Sequence, residues 1–254
     1  MSHSVLVTRP AGQADELGRR LTERGIQPVL VATVAVDLAS TATDIDAMLA
    51  GLAGADWLVL TSANGAEALA ARLAADGHDL PHNTRIAAVG PATAVALAAA
   101  GIRVDHVPVE YLTVAIAGGL GDIAGRRVVL ARADAATPDL REALTARGAR
   151  VEEVVAYRTI EGPGSSRDPL HAALQRDLDG IAFTSGSTVR GLTRLASPID
   201  RGRARALPAF CIGPVTAGEA RKSGFHIAAV ASQHTAAGLT SAIASHFARE
   251  NEDR

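Results

Sequence analysis

Short, continuously apolar runs alternate along the chain with longer amphipathic stretches. Runs at 4–7, 57–60, 86–89, 103–107 and 127–131 suit buried strands, as do 151–160, 180–183, 207–212 and 226–230. Between them, residues at helical spacing cover 13–24, 44–52, 63–75, 92–100, 113–120 and 139–147, then 169–176, 187–195, 215–223 and 236–247. Leu17 and Leu21 face inward on the first of these helices, and Gly25 ends it, as a glycine just past a helix does. Strict alternation of apolar strands with helices predicts an α/β fold, with parallel sheets covered by helices on both faces. The β-branched stretch 28–36 is too long and too apolar for a surface loop and suits a passage between domains. Gly162-Pro163-Gly164-Ser165-Ser166 has the most linker-like composition in the chain, while 78–84 reads as a surface loop and 251–254 as a frayed tail.

The pattern occurs twice. Ala209-Phe210-Cys211-Ile212-Gly213-Pro214-Val215-Thr216-Ala217 echoes the run from Arg85 to Ala94, RIAAVGPATA, at a displacement of 123 residues, which is the distance from Gly90 to Gly213. The same displacement carries Thr61-Ser62-Ala63-Asn64-Gly65 onto Thr184-Ser185-Gly186-Ser187-Thr188, Arg9 onto Arg132, Leu17 onto Leu140 and Gly25 onto Gly148. Past Val107 and Val230 the register slips by about one residue. Two similar α/β domains are therefore expected, and the repeat leaves open whether each copy is one contiguous domain. In each Gly-Pro turn the proline suits a first helical position and the glycine lets the chain leave its strand sharply. The free amides that follow, with the Thr93 or Thr216 hydroxyl, offer a seat for an anion.

At 254 residues the chain has room for two domains of roughly 120 residues, each with its own core. Apolar residues make up 48% and aromatic ones only 3%, so the cores must be built from Ala, Val, Leu and Ile, with Trp57 and Tyr157 as exceptions. A net charge of −2, from 25 basic and 27 acidic residues spread along the chain, gives no sign of a nucleic-acid surface. The opening MSHSVLVTRP enters a strand directly, no apolar run reaches membrane-spanning length, and the single Cys211 sits in an apolar strand, so a cytoplasmic protein is expected.

In parallel sheets, ligands lie beyond the carboxyl ends of the strands. There the first copy places Arg9, Thr61, Ser62, Ala63, Asn64, Gly90 and Thr93, and the second places Arg132, Ser185, Gly186, Ser187, Gly213, Thr216, His234 and Thr235. Hydroxyls, backbone amides and a few arginines suit carboxylates or phosphates, and neither a dinucleotide fingerprint nor a P-loop lysine is present. The closest histidine pair, His78 and His82, lies in a proline-containing loop with no cysteine nearby, so no metal site is expected. Ser62 and Ser185 lie outside a G-x-S-x-G motif and read either as helix caps or as ligand contacts. Tyr157 ends a β-rich segment. It reads either as a proton donor or as a tyrosine packed at a domain junction.

The motifs T-R-P near the start, L-T-S-A-N-G, A-V-G-P-A-T-A, G-A-R-V-x5-Y-R-T, F-T-S-G-S and C-I-G-P-V-T-A stand together in an order that resembles the uroporphyrinogen-III synthase family over essentially the whole chain. The stretch Gln233-His234-Thr235-Ala236-Ala237-Gly238-Leu239 is similar to that family's E-Y-T-x-x-G-L, whereas E-Y-L-T-V-A around Thr113 departs from it. The resemblance implies two flavodoxin-like parallel-sheet domains joined by a two-stranded β connector, with the active-site cleft between them. One domain would be discontinuous, from 1–36 and 160–254, and the other would be 37–159. It also implies a cofactor-free enzyme acting on the linear tetrapyrrole hydroxymethylbilane, whose eight carboxylates match the hydroxyl- and amide-rich turns. The terminal hydroxyl would leave, a spirocyclic intermediate would form at ring D, and the macrocycle would close with that ring inverted. A monomer with no nucleic-acid or membrane partner is expected. The competing expectation is a non-catalytic sensory module that binds a tetrapyrrole or small anion on the same frame.

Overall fold

The computed structural model describes residues 3–9, 14–77, 79–108 and 115–252. The chain opens with β1 (Ser4–Val7), α1 (Ala14–Thr22), β2 (Gln27–Leu30), β3 (Val34–Asp37), α2 (Ala42–Gly51), β4 (Trp57–Leu60), α3 (Ala63–Asp76), β5 (Arg85–Ala88) and α4 (Pro91–Ala99). It continues with α5 (Ala115–Gly119), β6 (Arg127–Ala133), α6 (Asp139–Ala146), β7 (Arg150–Glu161), α7 (Arg167–Leu174), β8 (Gly180–Phe183) and α8 (Gly186–Leu195). The last elements are α9 (Pro198–Ala206), β9 (Ala209–Cys211), α10 (Pro214–Lys222), β10 (Ile227–Val230) and α11 (Ala236–Glu252).

These elements form two compact units, one of Met1–Ala35 with Ile160–Arg254 and one of Val36–Thr159. The first holds a five-stranded sheet in the order β10-β9-β8-β1-β2, with every pairing parallel. Its inner strand β1, between β8 and β2, buries Leu6 on one face, among side chains of α7, α8 and α10, and Val5 and Val7 on the other, against α1 and α11. The second sheet runs β3-β7-β6-β4-β5, with β7, β6, β4 and β5 mutually parallel. Leu58 and Leu60 pack on one face with α2, α3 and α4, while Trp57 and Val59 pack on the other with α5 and α6.

The repeat explains these orders. At the displacement of 123 residues, β1 falls on β6, β2 on β7, β4 on β8 and β5 on β9. Each unit therefore holds one full set of equivalent strands, drawn partly from each copy. The chain passes between the units twice, in β3 and in β7.

Several local expectations are corrected. The stretch 28–36 breaks into β2 and β3 around Thr33, whose hydroxyl donates to the carbonyls of Thr8 and Thr188 and so pins the chain there. Residues 103–107 contribute a single bridge, His106 to Ala87, instead of a strand. Gly162 to Ser166 is no linker, because Gly162 donates its N–H to the Thr33 carbonyl and takes a φ of +75° against α8. Helix α9 is hidden from the apolar pattern by its polar residues. Its signal is the cap Ser197, which accepts from Asp200 N at 3.1 Å, followed by Pro198 at the first helical position. Cys211 is sealed in the core, where burial pushes its thiol up to about 11. Pro10 to Gln13, His78 and Thr113 lie outside the described residues.

Two glycines test this packing. A Cβ on Gly191 would fall 2.0 Å from the Thr33 carbonyl oxygen, whereas one on Gly202, inside α9, meets nothing within 4 Å. Gly191→Ala is expected to cost roughly 3 kcal/mol through backbone overlap, and Gly202→Ala to add up to about 1 kcal/mol of stability through helix propensity. Urea-unfolding midpoints that move the same way in both variants would contradict the junction described above.

Candidate functional site

Parallel pairing gathers the strand carboxyl ends on one edge of each sheet, and nearly all the predicted residues follow those ends. In the Val36–Thr159 unit, Thr61 to Asn64 follow β4, Gly90 to Thr93 follow β5, Arg132 is near the end of β6, and Tyr157 lies in β7 opposite Ala133. In the other unit, Arg9 follows β1, Ser185 to Ser187 follow β8, Gly213 to Thr216 follow β9, and His234 and Thr235 follow β10.

Each of the two Gly-Pro turns opens a helix with glycine as the cap and proline in the first turn. Gly90 and Gly213 have φ values of −159° and −170°, an extended backbone open to any residue, so turn geometry does not demand glycine. At Gly213 the reason is space, because a Cβ would lie 3.1 Å from the His234 ring. Thr93 and Thr216 occupy the third helical position of α4 and α10 and are 4% and 5% exposed. Other buried threonines, namely Thr8, Thr33, Thr41, Thr84, Thr188 and Thr240, give their hydroxyls to backbone carbonyls. The Thr93 and Thr216 hydroxyls have no partner among the described residues, yet neither is sealed from the surface. Ala94 and Ala217 donate to the Gly90 and Gly213 carbonyls, so the amides of Ala92, Thr93, Val215 and Thr216 remain for an external acceptor.

The serines are caps. Ser62 Oγ accepts from Gly65 N at 3.2 Å, and Ser185 forms a reciprocal capping box with Thr188. The Thr235 hydroxyl likewise accepts from Gly238 N, and His234 is exposed beside Gly213. Arg132 is held from within. Its side chain is 6% exposed and donates to Glu153 at 2.7 Å and to the Thr137 carbonyl, so internal partners take part of its donor capacity. Its repeat equivalent differs. Arg9 is half-buried with no ion pair among the described residues, and burial lowers its pKa while Glu16 opposes that shift.

Tyr157 places its ring in the core cluster beside α2 and α3, as the packing reading expects. Its hydroxyl has no partner among the described residues and is not enclosed, so both readings of this residue stay open. The hollows found at this level are small. One of about 180 Å³ is lined by Arg132, Arg141 and Glu153, while one of about 470 Å³ lies between α2 and β7, away from every predicted site residue.

The sequence profile described as Uroporphyrinogen-III synthase HemD matches residues 15–241. A curated protein of Synechococcus elongatus named Uroporphyrinogen-III synthase is 32% identical over 249 residues, covering 94% of both chains. The chain belongs to the uroporphyrinogen-III synthase family. This is a family of tetrapyrrole-biosynthesis enzymes that act on hydroxymethylbilane. Crystal structures of uroporphyrinogen III synthase from Thermus thermophilus and of the synthetase from Helicobacter pylori share the fold, with TM-scores of 0.63 and 0.59. Their identities are 21% and 15%, over 98% and 96% of this chain and 100% and 99% of theirs.

Within this family member, reading by repetition missed one group. Arg190 on α8 donates through Nε and Nη2 to Glu161 at 3.0 and 2.7 Å, Arg194 stands 3.3 Å from the same carboxylate, and Glu219 on α10 lies 3.7 Å from Arg190 Nη1. At the repeat displacement Arg190, Glu161, Arg194 and Glu219 fall on Glu67, Leu38, Ala71 and Ala96, so a search for shared features discards them. Arg132 allows a test of its structural role. Because Glu153 is one-third exposed, Arg132→Met is expected to cost about 1–2 kcal/mol, between the values for surface and buried pairs. A urea midpoint unchanged from wild type would contradict a stabilising role for these pairs.

Proposed function

We propose that the chain closes hydroxymethylbilane to uroporphyrinogen III, releasing the terminal hydroxyl as water and inverting ring D through a spirocyclic intermediate. The observation that carries this reading is the pair of buried threonines, Thr93 and Thr216, whose hydroxyls lack partners among the described residues and stand beside helix amides that lack them too. Such turns accept carboxylates without a dedicated cation, and an eight-carboxylate substrate needs many of them. On this reading Arg9, the 61–64 turn, Gly90, Thr93, Ser185, Gly186, Ser187, Gly213, Thr216, His234 and Thr235 share in holding the substrate. The enzyme orients a chain that becomes an electrophile once its hydroxyl leaves, and catalysis by orientation is the main contribution.

The strand order supports a finer structural proposal. Counted within the first unit, the order is 2-1-3-4-5, and β7-β6-β4-β5 with the His106 bridge gives the same order from β6 onward. That is the flavodoxin-like order, so we read each unit as a flavodoxin-like domain, with β3 and β7 as the connector. Residues 37–159 expressed alone are then expected to melt cooperatively, and residues 1–123 are not; a cooperative melt of 1–123 would favour contiguous domains. No helix among the described residues is long and apolar enough to cross a membrane. A monomer working in the cytoplasm belongs to the same proposal.

The purified chain, given hydroxymethylbilane, is expected to yield the type III isomer in excess over the type I isomer that forms spontaneously. Isomer ratios equal to the blank would reject the assignment and favour the sensory-module alternative. Thr216→Ala is expected to slow turnover with the melting temperature preserved. If Tyr157 protonates the departing hydroxyl, Tyr157→Phe lowers the rate by about 10²-fold. Undiminished type III synthesis in that variant would leave Tyr157 as a core residue only.

A further inference from the structure

Arg190 stands where helix electrostatics do not favour it. It leaves α8 one turn in, and its guanidinium folds back over the helix start, with Nη1 3.1 Å from where a Gly186 Cβ would be. The positive end of the helix dipole opposes a cation there, so the group needs anions to hold it. Glu161, 13% exposed, takes Nε and Nη2, and Nη2 also lies 3.4 Å from Ser187 Oγ. Nη1 has no hydrogen bond among the described residues, since the nearest carboxylate oxygen, on Glu219, is 3.7 Å away. The Gly186 and Ser187 amides beside it are also unclaimed, because Ser185 Oγ serves Thr188 N.

The adjoining helix adds an independent sign. Glu219 on α10 comes within 3.6 Å of the Gly186 Cβ position, and Thr216, three residues earlier, shares that side of α10. Thr216 is 5% exposed with an unpartnered hydroxyl. We propose that Arg190 Nη1 and the Gly186 and Ser187 amides receive one substrate carboxylate, with Thr216 at its margin. This assignment rests on the functional reading above. Glu161 is then a positioning residue that fixes the guanidinium so that its Nη1 edge, met only by Glu219 at 3.7 Å among the described carboxylates, faces the helix start. A bound carboxylate satisfies the amides and the arginine together, which neither Glu161 nor Glu219 does.

Steady-state kinetics of the whole chain with hydroxymethylbilane test the assignment. Arg190→Gln is expected to raise KM about tenfold with kcat little changed, as loss of one charge-assisted hydrogen bond does. Arg190→Lys recovers part of that loss. Gly186→Ala crowds Nη1 and the Glu219 side chain but leaves the two hydrogen bonds from Arg190 to Glu161 in place, and is expected to raise KM as well, which covers the case of an Arg190→Gln variant that fails to fold. Arg194→Gln breaks the other pair on Glu161, far from Gly186, and is expected to leave both constants unmoved. Fluorescence titration with uroporphyrin III reads binding without turnover, and its affinity is expected to fall about tenfold in Arg190→Gln while its octamethyl ester shows no such difference. Unmoved KM and uroporphyrin affinity in folded Arg190→Gln and Gly186→Ala, with wild type making the type III isomer, would overturn the Arg190 assignment alone. Equal losses in Arg190→Gln and Arg194→Gln would overturn it by making the ion cluster structural. A wild type that forms no type III isomer would overturn the functional reading and this assignment with it.

Discussion

The pairing of β1 with β8 is the contact on which the first unit turns. It sets Leu6 beside Ile181 and Val7 beside Ala182, joining the start of the chain to a segment about 175 residues on. Chain separation is a modest obstacle, since loop-closure cost grows only logarithmically with length. What pays for it is burial, because Val5, Leu6 and Val7 are each fully enclosed, at about 1.5–3 kcal/mol per side chain. Gly180, opposite Val5 in this pairing, leaves room for the Phe210 ring of the neighbouring β9, since a Cβ there would come 2.5 Å from that ring. In the other unit β4 and β6 pair across the two copies in the same way. Once both pairings form, every parallel strand in a unit delivers its carboxyl end to one edge, and the site residues follow from that.

Much of this was legible because apolar strands and their glycine-ended helices obey local rules. The bounds of β1, β4 and β8 matched the expected runs to the residue, since β4 and β8 are four residues buried on both faces and β1 is so from Val5 to Val7. The losses came where tertiary contacts overrode composition. Gly162 to Ser166 looks like a linker, yet it is fixed by the Thr33 carbonyl and packed on α8. The stretch 28–36 looks continuous, but a buried threonine side chain takes two carbonyls and ends β2. At the site, which residues line the strand ends was legible and what each side chain does there was not. Nothing in the sequence distinguishes Arg9, left without an ion pair among the described residues, from Arg132, held by Glu153, because Glu153 reaches Arg132 only through the register of β6 and β7.

The duplication also explains what reading by repetition cannot see. A duplicated strand-turn-helix gives both units the same arrangement, amides and a threonine hydroxyl without partners among the described residues, which is the anion seat of the proposed reading. Features shared by both copies are therefore features of the frame. The group formed by Glu161, Arg190, Arg194 and Glu219 belongs to the second copy alone, where the first has Leu38, Glu67, Ala71 and Ala96. Its residues come from β7, α8 and α10, brought together only after the chain has crossed back into the first unit.

That asymmetry bears on the proposed chemistry. Two equivalent seats would grip a near-repetitive tetrapyrrole in either sense, because its carboxylates recur around four similar rings. On the proposed reading, an ordered ring inversion is helped if the protein holds the chain in one sense and not the other before the hydroxyl leaves. Amides and threonine hydroxyls present in both units cannot make that distinction. A guanidinium held over one helix start, opposed by the dipole and anchored by a nearly buried glutamate, can, since a carboxylate gains more there than at the equivalent turn, where Glu67 stands in its place. On the proposed reading, the repeated frame offers the same kind of seat in both units, and the unrepeated charges supply direction.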